Sequence, residues 1–475
     1  MKTPLHAHFT KPSNRENALE PMFFDHDTIV AISTPPGRCG IGVVRLSGPR
    51  AQEIAAPLLR LRHPLAAGRV RFGEVLDQDG NVLDEAVVTL FAAPHSYTAE
   101  DVVEIAAHGA PVLLEAIVRA CLAGGARLAE PGEFTQRAFL AGRLDLTQAE
   151  AVADLIAAST MEQARLAARQ LGGALSQAVA PSKQALVELI ATLEAGIDFA
   201  EDDIDVLPAG AIAEKLAAIA QPLARLAESY AYGRMLRDGF TLAIVGRPNA
   251  GKSSLFNRLL ERDRAIVTAV PGTTRDPIHE RLSLGGIPVE LIDTAGLREV
   301  PEGLEAEAEQ QGIARSRMAM AEADQVLVVI DASGCRDGEA LHKEDAQTLA
   351  SLAGRDPIVV MNKIDLVAQA TQTFPGIKTS ALTGDGIAEL RDELLRRLRA
   401  PAGDSPLITN LRQHAVLTSA IDALGAAERG LHARVPHEML LLDLYAALQS
   451  LDALTGVTTT DDILALIFSS FCIGK

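Results

Sequence analysis

The 475-residue sequence predicts a multidomain chain that joins α/β and all-α parts. Three observations carry this reading. Strand-like runs alternate with glycine and proline turns from Asp27 to about Leu140. An alanine-rich helical style fills Leu144 to about Asp238 and returns from about Ala415 to the end. Between Gly239 and about Ala400, strands and helices alternate, as in a doubly wound α/β domain.

In the first part Thr28–Ser33, Gly42–Leu46, Ala86–Phe91 and Asp101–Ala106 read as strands, and Pro111–Leu122 as one helix. In the second, Ile212, Leu216, Ile219, Leu223 and Leu226 recur at spacings of four and three, one face of a helix, beyond an acidic loop near Glu201–Pro208. Near the end Leu441, Leu444, Leu448 and Leu451 share a face, and Thr460-Asp461-Asp462 reads as a helix start with acids in its first turn. Two helical blocks around an α/β unit predict an insertion into one helical domain, with the ends near Gly239 and Ala400 close in space.

Apolar content of 48% and charged content of 22% suit a chain with sizeable cores. No window holds eighteen uninterrupted apolar residues, which argues against a membrane span. Residues 1–24 are polar, lack the apolar core of a signal peptide and read as a disordered extension, so a cytoplasmic protein is expected. Cys39, Cys121, Cys335 and Cys472 lie far apart, which argues against a metal cluster or a disulfide framework. The net charge of −18 argues against an all-over grip on nucleic acid. Residues 1–72 nevertheless carry ten Lys/Arg against five acids, whereas Glu194–Asp205 holds six acids. An RNA partner is therefore expected only through a local patch or a helper protein, and a solvated basic surface is the plainer alternative.

Gly246–Ser253, GRPNAGKS, follows the apolar run Phe240–Val245 and precedes a helix-like stretch, fitting the phosphate-loop pattern G-x-x-x-x-G-K-[ST]. Backbone N–H groups at a helix N-terminus cradle phosphates there. Lys252 would reach the β- and γ-phosphates, and the Ser253 hydroxyl would bind Mg²⁺. Asn362-Lys363-Ile364-Asp365 follows a second apolar run and matches the N-K-x-D element that reads guanine. Its Asp accepts from guanine N1–H and the 2-amino group; adenine offers neither donor, and an unpaired buried carboxylate costs several kcal/mol. Asp293-Thr294-Ala295-Gly296 follows the strand-like Pro288–Ile292, with its Asp for the Mg²⁺ shell and its Gly N–H for the γ-phosphate. Ser380-Ala381, after Gly376–Thr379, resembles the element that packs on the base. Four elements in this order define a GTPase.

The chemistry departs from the Ras pattern at Leu297, which stands where a water-orienting glutamine is usual. The cation that speeds such hydrolysis by ~10³–10⁵ must also come from somewhere. Asn249 is either a ligand for a monovalent cation or a loop-shaping hydrogen-bond former. Carbonyls of Ala265–Thr274 are further candidate ligands, and Thr274 is placed to reach Mg²⁺. Among Glu299, Glu302, Glu305, Glu307 and Glu309, a solvated switch helix is the plain reading, and one acid that positions water is the sharper one.

The terminus Phe471-Cys472-Ile473-Gly474-Lys475 says little by itself: a small apolar thiol and a glycine able to cap a helix. With Thr28–Gly48, Tyr97–Gly109, Pro131–Ala158, the GTPase motifs and Thr460–Lys475, however, the chain from about Asp27 onward resembles the MnmE (TrmE) family of tRNA modification GTPases. Beyond the disordered extension read over 1–24, which has no counterpart in the family, the resemblance implies an N-terminal α/β folate-binding and dimerisation domain over 25–141, a central helical domain from 142–238 and 401–475, and an inserted Ras-like P-loop GTPase domain over 239–400. It implies a homodimer that joins the FAD- and NADH-using partner MnmG in a heterotetramer. That pair modifies C5 of the wobble uridine of certain tRNAs to aminomethyl or carboxymethylaminomethyl forms. The one-carbon unit would come from 5,10-methylene- or 5-formyl-tetrahydrofolate, and the nitrogen from glycine or ammonium.

By the same resemblance, folate contacts fall on Arg45, Glu104, Arg143 and Lys475. GTP contacts fall on Asn249, Ala250, Gly251, Lys252, Ser253, Ser254, Thr268, Thr273, Thr274, Asp293, Thr294, Ala295, Gly296, Asn362, Lys363, Asp365, Ser380 and Ala381. Mg²⁺ maps to Ser253 and Thr274, and K⁺, in place of an arginine finger, to Asn249, Thr268, Val270 and Thr273. The water-positioning acid maps to Glu305, and Cys472 matches a terminal cysteine proposed as reactive, a role left open here because a thiol needs a depressed pKa. Cys39 stands where a glycine is usual, and Arg143 where some relatives have lysine. The competing reading is a ribosome-assembly GTPase of the Era or Der kind, whose KH-like C-terminal domain is replaced here by amphipathic helices and FCIGK. A folate-storing protein with a vestigial GTPase conflicts with the complete motif set.

Overall fold

A computed structural model describes residues 27–198, 207–263, 280–293, 323–334, 341–367, 376–397, 407–457, 464, 467–469 and 471–474. The chain divides into two compact units, one running to Arg143 and taking in residues from Leu464 on, the other spanning Leu144–Ile463. No helix among the described residues is long and apolar enough to cross a membrane.

The first unit is built on β1 (Ile29–Ile32), β2 (Cys39–Ser47), α1 (Ala51–Ala55), β3 (Leu59–Leu61), β4 (Val70–Leu76), β5 (Val82–Phe91), β6 (Val102–Gly109), α2 (Pro111–Ala123), β7 (Arg127–Leu128) and α3 (Glu133–Leu140). Among the described residues its sheet runs β3-β4-β5-β6-β2-β1-β7. All neighbours are antiparallel except β1 and β7. Alternation along β2 sends Val44 and Leu46 to a core that α2 fills with Leu114, Ile117 and Val118. Arg45 points to the opposite face, directly across from Glu104 of β6. That opposite face also carries Phe72 across from Val87. Cys39 lies within β2 and outside the left-handed region, so the departure from glycine there costs no backbone strain.

Sequence patterning finds α2 and four of these strands but expects a single helix before Leu140; the unit also holds α1 and α3. The α3 stretch, EFTQRAFL, is too polar to show an apolar stripe, because its buried face includes the charged Glu133 and Arg137.

The second unit opens with α4 (Leu146–Ala157) and α5 (Met161–Leu171), each started by a capping box, at Asp145 and Thr160. Long helices α6 (Ala174–Asp198) and α7 (Ala209–Glu228) follow, then α8 (Tyr230–Asp238). The α/β part comprises β8 (Phe240–Val245), α9 (Lys252–Asp263), β9 (Glu280–Leu284), β10 (Ile287–Asp293), β11 (Gln325–Asp331), α10 (Lys343–Ser351), β12 (Ile358–Asn362), β13 (Ile377–Lys378) and α11 (Ile387–Arg397). Its sheet runs β13-β12-β11-β8-β10-β9, parallel except for the antiparallel edge β9. Helices α12 (Leu411–His432) and α13 (His437–Thr455) then return to α6 and α7.

The expected face of Ile212, Leu216, Ile219, Leu223 and Leu226 is buried, in one apolar cluster with Leu186, Leu193, Leu424 and Leu444. The two connections between helices and sheet lie side by side: the Ile408 N–H donates to Ser229 Oγ at 3.0 Å. Most of the acidic loop read at Glu201–Pro208, and the helix start at Thr460-Asp461-Asp462, lie outside the described residues.

Candidate functional site

The phosphate loop leaves the C-terminal end of β8, whose neighbours are β11 on one side and β10 on the other. The strand order reverses there, the crevice where open α/β sheets hold ligands. Helix α9 begins at Lys252, so its N-terminus faces the loop. Asn249 adopts a left-handed backbone with φ 62°. Gly251 has φ 88°, and a Cβ there would lie 2.2 Å from Asn362 Nδ2, so no side chain fits. Lys252 is buried, and its Nζ donates to the carbonyls of Gly246 and Arg247, both at 2.9 Å. Ser253 and Ser254 are exposed at the helix start.

The guanine-reading segment is tied to this loop by its asparagine. Asn362 Nδ2 donates to Ala250 O at 3.0 Å, while Asn362 Oδ1 accepts from the Ala381 N–H at 3.1 Å. One buried amide thus joins three motif elements, the first of them more than a hundred residues before the other two. Ser380 Oγ donates to Asp365 Oδ1 at 2.6 Å, fixing the carboxylate's orientation. Asp365 itself is exposed in the chain alone. Arg258 of α9 donates to the carbonyls of Ala381 and Leu382, bracing the base-packing loop.

Three further contacts escape the motif reading. Lys363 Nζ meets Asp331 Oδ2 at 2.6 Å. Burial works against the Asp331 charge, but Lys363 and Ser333 outweigh it and hold the carboxyl below its ordinary value. Arg247 Nε donates to the buried carboxylate of Asp345, 2.8 Å away on α10. Tyr97, discussed below, is the third.

Asp293 ends β10, its backbone in register with Ile244 of β8. Thr268, Val270, Thr273, Thr274, Thr294, Ala295, Gly296, Glu305 and Lys475 lie outside the described residues.

In the first unit Arg45 and Glu104 form a pair, with Nη2 and Nε of Arg45 at 2.8 and 2.9 Å from Glu104 Oε1. The guanidinium lies 5.6 Å from the ring centres of both Tyr97 and Phe134. Arg143 donates to Ser96 O, one residue from Tyr97. Burial raises the Tyr97 phenol above its ordinary value, against the pull of the Thr135 hydrogen bond and the Arg45 and Arg143 charges. The chain's last described residues reach the same place. Ile473 bridges Pro131, and Gly474 O accepts from Arg45 at 3.5 Å. Gly474 has φ 94° and a Cβ there would sit 2.4 Å from Ile32 O, so only glycine takes this seat. Cys472 is exposed. The result is a partly buried carboxylate and two guanidinium groups around an aromatic wall, a donor set that fits a flat polar heterocycle with an anionic tail.

A glycine-lined loop at the switch point, locked to a base-reading segment, belongs to the P-loop GTPases. Comparison with known proteins narrows the class. A family model described as the MnmE helical domain matches residues 146–472, and one for the GTP-binding protein TrmE N-terminus matches residues 28–143. The tRNA modification GTPase MnmE of Koribacter versatilis is 57% identical over 458 residues, covering 94% of this chain and 99% of that one. Its counterpart from Aquifex aeolicus is 42% identical over 455 residues, covering 94% and 100%. Among solved structures, the G domain of the T. maritima FeoB iron transporter is 25% identical over 34% of this chain and 99% of that one, with a TM-score of 0.23. The chain belongs to the MnmE (TrmE) family of tRNA modification GTPases.

Proposed function

We propose that this GTPase works with an MnmG partner to add an aminomethyl or carboxymethylaminomethyl group to C5 of the wobble uridine of certain tRNAs, taking its one-carbon unit from a tetrahydrofolate. The observation that carries the folate part is the Arg45–Glu104 pair set against Tyr97 and Phe134, with the Gly474 carbonyl on Arg45. A carboxylate accepts the paired N–H donors of a pterin, and arginines suit its glutamyl tail. When bound, the folate supplies carbon at the methylene or formyl level. Glu104 then orients the ring, Arg45 holds Glu104 in place, and Arg143 with Lys475 takes up the tail.

In the second unit the loop residues Asn249 to Ser254 hold the GTP phosphates, and Asp365 and Ala381 hold the base. Ser253 and Thr274 take Mg²⁺, which neutralises phosphate charge. Asn249, Thr268, Val270 and Thr273 take K⁺, which supplies the positive charge an arginine finger would otherwise bring. Glu305 positions water. The exposure of Asn249, on a left-handed backbone within the loop, supports the ion reading because its amide oxygen is accessible. The exposed apolar face of Val70, Phe72 and Val87 supports a homodimer through the first unit. The domain division 25–141, 142–238 with 401–475, and 239–400 belongs to the same reading, as does a cytoplasmic location.

The test is nucleoside mass spectrometry of bulk tRNA from cells with and without this gene. The 5-aminomethyl-type uridines should vanish, return with the intact gene, and stay absent with Lys252→Ala or Glu104→Ala. Unchanged nucleosides alongside unjoined ribosomal subunits would instead favour an assembly GTPase and remove the folate assignment.

A further inference from the structure

One face of α5 holds the α/β part by its backbone. Thr160 caps the helix, Gln163 and Gln170 lie seven residues apart on one side of it, and each of the three donates a hydrogen bond to a main-chain oxygen. Thr160 Oγ1 donates to Gly286 O at 2.7 Å, in the β9–β10 turn. Gln163 Nε2 donates to Arg237 O at 2.7 Å, where the chain enters the sheet, and Gln170 Nε2 to Leu407 O at 3.0 Å, where it returns. Leu166, between them, belongs to the same apolar cluster as Leu284, Ile287 and Val289. A cavity of about 160 Å³ lies along this seam, lined by Asp154, Gln163, Leu166, Gln170, Arg237 and Thr409. That is room for several waters beside Gln163 and Gln170. Arg237 also donates from Nε to Asp154 Oδ1 of α4 at 2.7 Å, joining the neighbouring helix to the entry point.

The turn that Thr160 holds is the far end of the strand that carries Asp293. Strand β10 starts at Ile287, one residue past Gly286, and ends at Asp293, with every residue from Val289 paired to β8. A strand of this length is roughly 23 Å of stiff backbone. The Thr160 bond therefore ties the helical part to the strand whose other end pairs Asp293 with Ile244, two residues before the phosphate loop.

We propose that Thr160 and Gln163 are positioning residues for GTP hydrolysis: through the Gly286 and Arg237 carbonyls they make α5 the element by which the helical part sets the placement of Asp293. The capping box makes the two functions separable. Thr160 Oγ1 accepts from the Gln163 N–H, and Gln163 Oε1 accepts from the N–H groups of Ser159 and Thr160. Each side chain thus caps α5 with an acceptor and reaches the α/β part with a donor.

The experiment is steady-state GTP hydrolysis by the full chain, with Tm measured on the same samples. Thr160→Asp keeps the capping acceptor and loses the proton for Gly286 O. Gln163→Glu keeps the N3 acceptor and loses the donor to Arg237 O. Thr160→Ser keeps both. The expected result is a fall in kcat of about fivefold in each donor-less variant, the size of one net hydrogen bond, with KM for GTP unchanged and Thr160→Ser at the wild-type rate. A lowered Tm with wild-type kcat would mean a merely structural contact and overturn the proposal. So would a change confined to KM, or an equal loss of kcat in Thr160→Ser. If Thr160→Asp does not fold, Gln163→Glu decides alone.

Discussion

Asp365 shows how a single oxygen can carry base selectivity. Ser380 occupies Oδ1, and the side chain is otherwise exposed, so the carboxylate is oriented in advance and free to accept from a base edge. Asp365→Asn exchanges one acceptor for a donor and reverses the match at guanine's 2-amino group. GTP affinity should fall by about a hundredfold or more, and xanthosine triphosphate, which presents a carbonyl at that position, should bind better than GTP. Titration of the wild-type protein and the variant with both nucleotides measures this, and unchanged GTP preference would remove Asp365 from the base. The motif residues were legible because each motif is a short contiguous run with its own chemistry. Asp331, Asp345 and Tyr97 were not, because their partners Lys363, Arg247 and Arg45 arrive from other elements.

Among elements, α3 departs most from its sequence pattern. Arg137 is 3% exposed and Glu133 4%, yet both are charged in any periodicity plot and read as solvent-facing. The structure pairs them: Arg137 Nη2 meets Glu133 Oε1 at 2.9 Å and Asp27 Oδ1 at 2.6 Å, and Arg127 meets Glu133 at 2.6 Å. Burial opposes the Glu133 charge, but Arg127, the Glu130 N–H and Arg137 outweigh it and hold the carboxyl below its ordinary 4.5. A folded-state pKa below the unfolded one gives stability that is complete above pH 4.5 and drains away as pH falls through the folded value. The Tm of the first unit should therefore be flat above about pH 5 and fall below it. Glu133→Gln should start lower, because it takes a partner from the buried Arg137 guanidinium, and should slope less. Parallel curves for the two proteins would contradict the pairing. By contrast β8, Phe240–Val245, matches its apolar run residue for residue, because glycines with positive φ bound it on both sides. Strands β3 and β4 went unread: one is three residues long, and the other exposes Val70 and Phe72 where a half-buried strand would place polar residues.

At the scale of the whole molecule the two units carry different candidate sites, and ligands should separate them. A ligand that binds only the folded form adds ~2.7 kcal/mol at a hundred times its Kd. In calorimetry GTP should raise the transition of the unit spanning Leu144–Ile463, and more in K⁺ than in Na⁺ salts. A tetrahydrofolate should raise that of the unit built on β1–β7. A folate shift that instead follows the GTP-sensitive transition would place its site outside the Arg45 cradle. The helical and α/β styles were legible at this scale because their periods differ. The attachment of the final residues to the first unit was not, since nothing in a local window shows that Ile473 bridges Pro131.

That attachment has a consequence for how the protein is made. The ribosome delivers Arg45, Glu104 and Tyr97 early, then the entire Leu144–Ile463 unit, and only afterwards the residues that bring Gly474 to Arg45. The Arg45 cradle therefore gains its Gly474 carbonyl only after the Leu144–Ile463 unit has been synthesised, although Arg45, Glu104 and Tyr97 precede that unit in the chain. A transcript broken anywhere in the second unit yields a product whose cradle lacks its closing carbonyl. Such a product keeps the Arg45–Glu104 pair but not the Gly474 carbonyl, so the cradle draws on residues from both sides of the second unit in the chain.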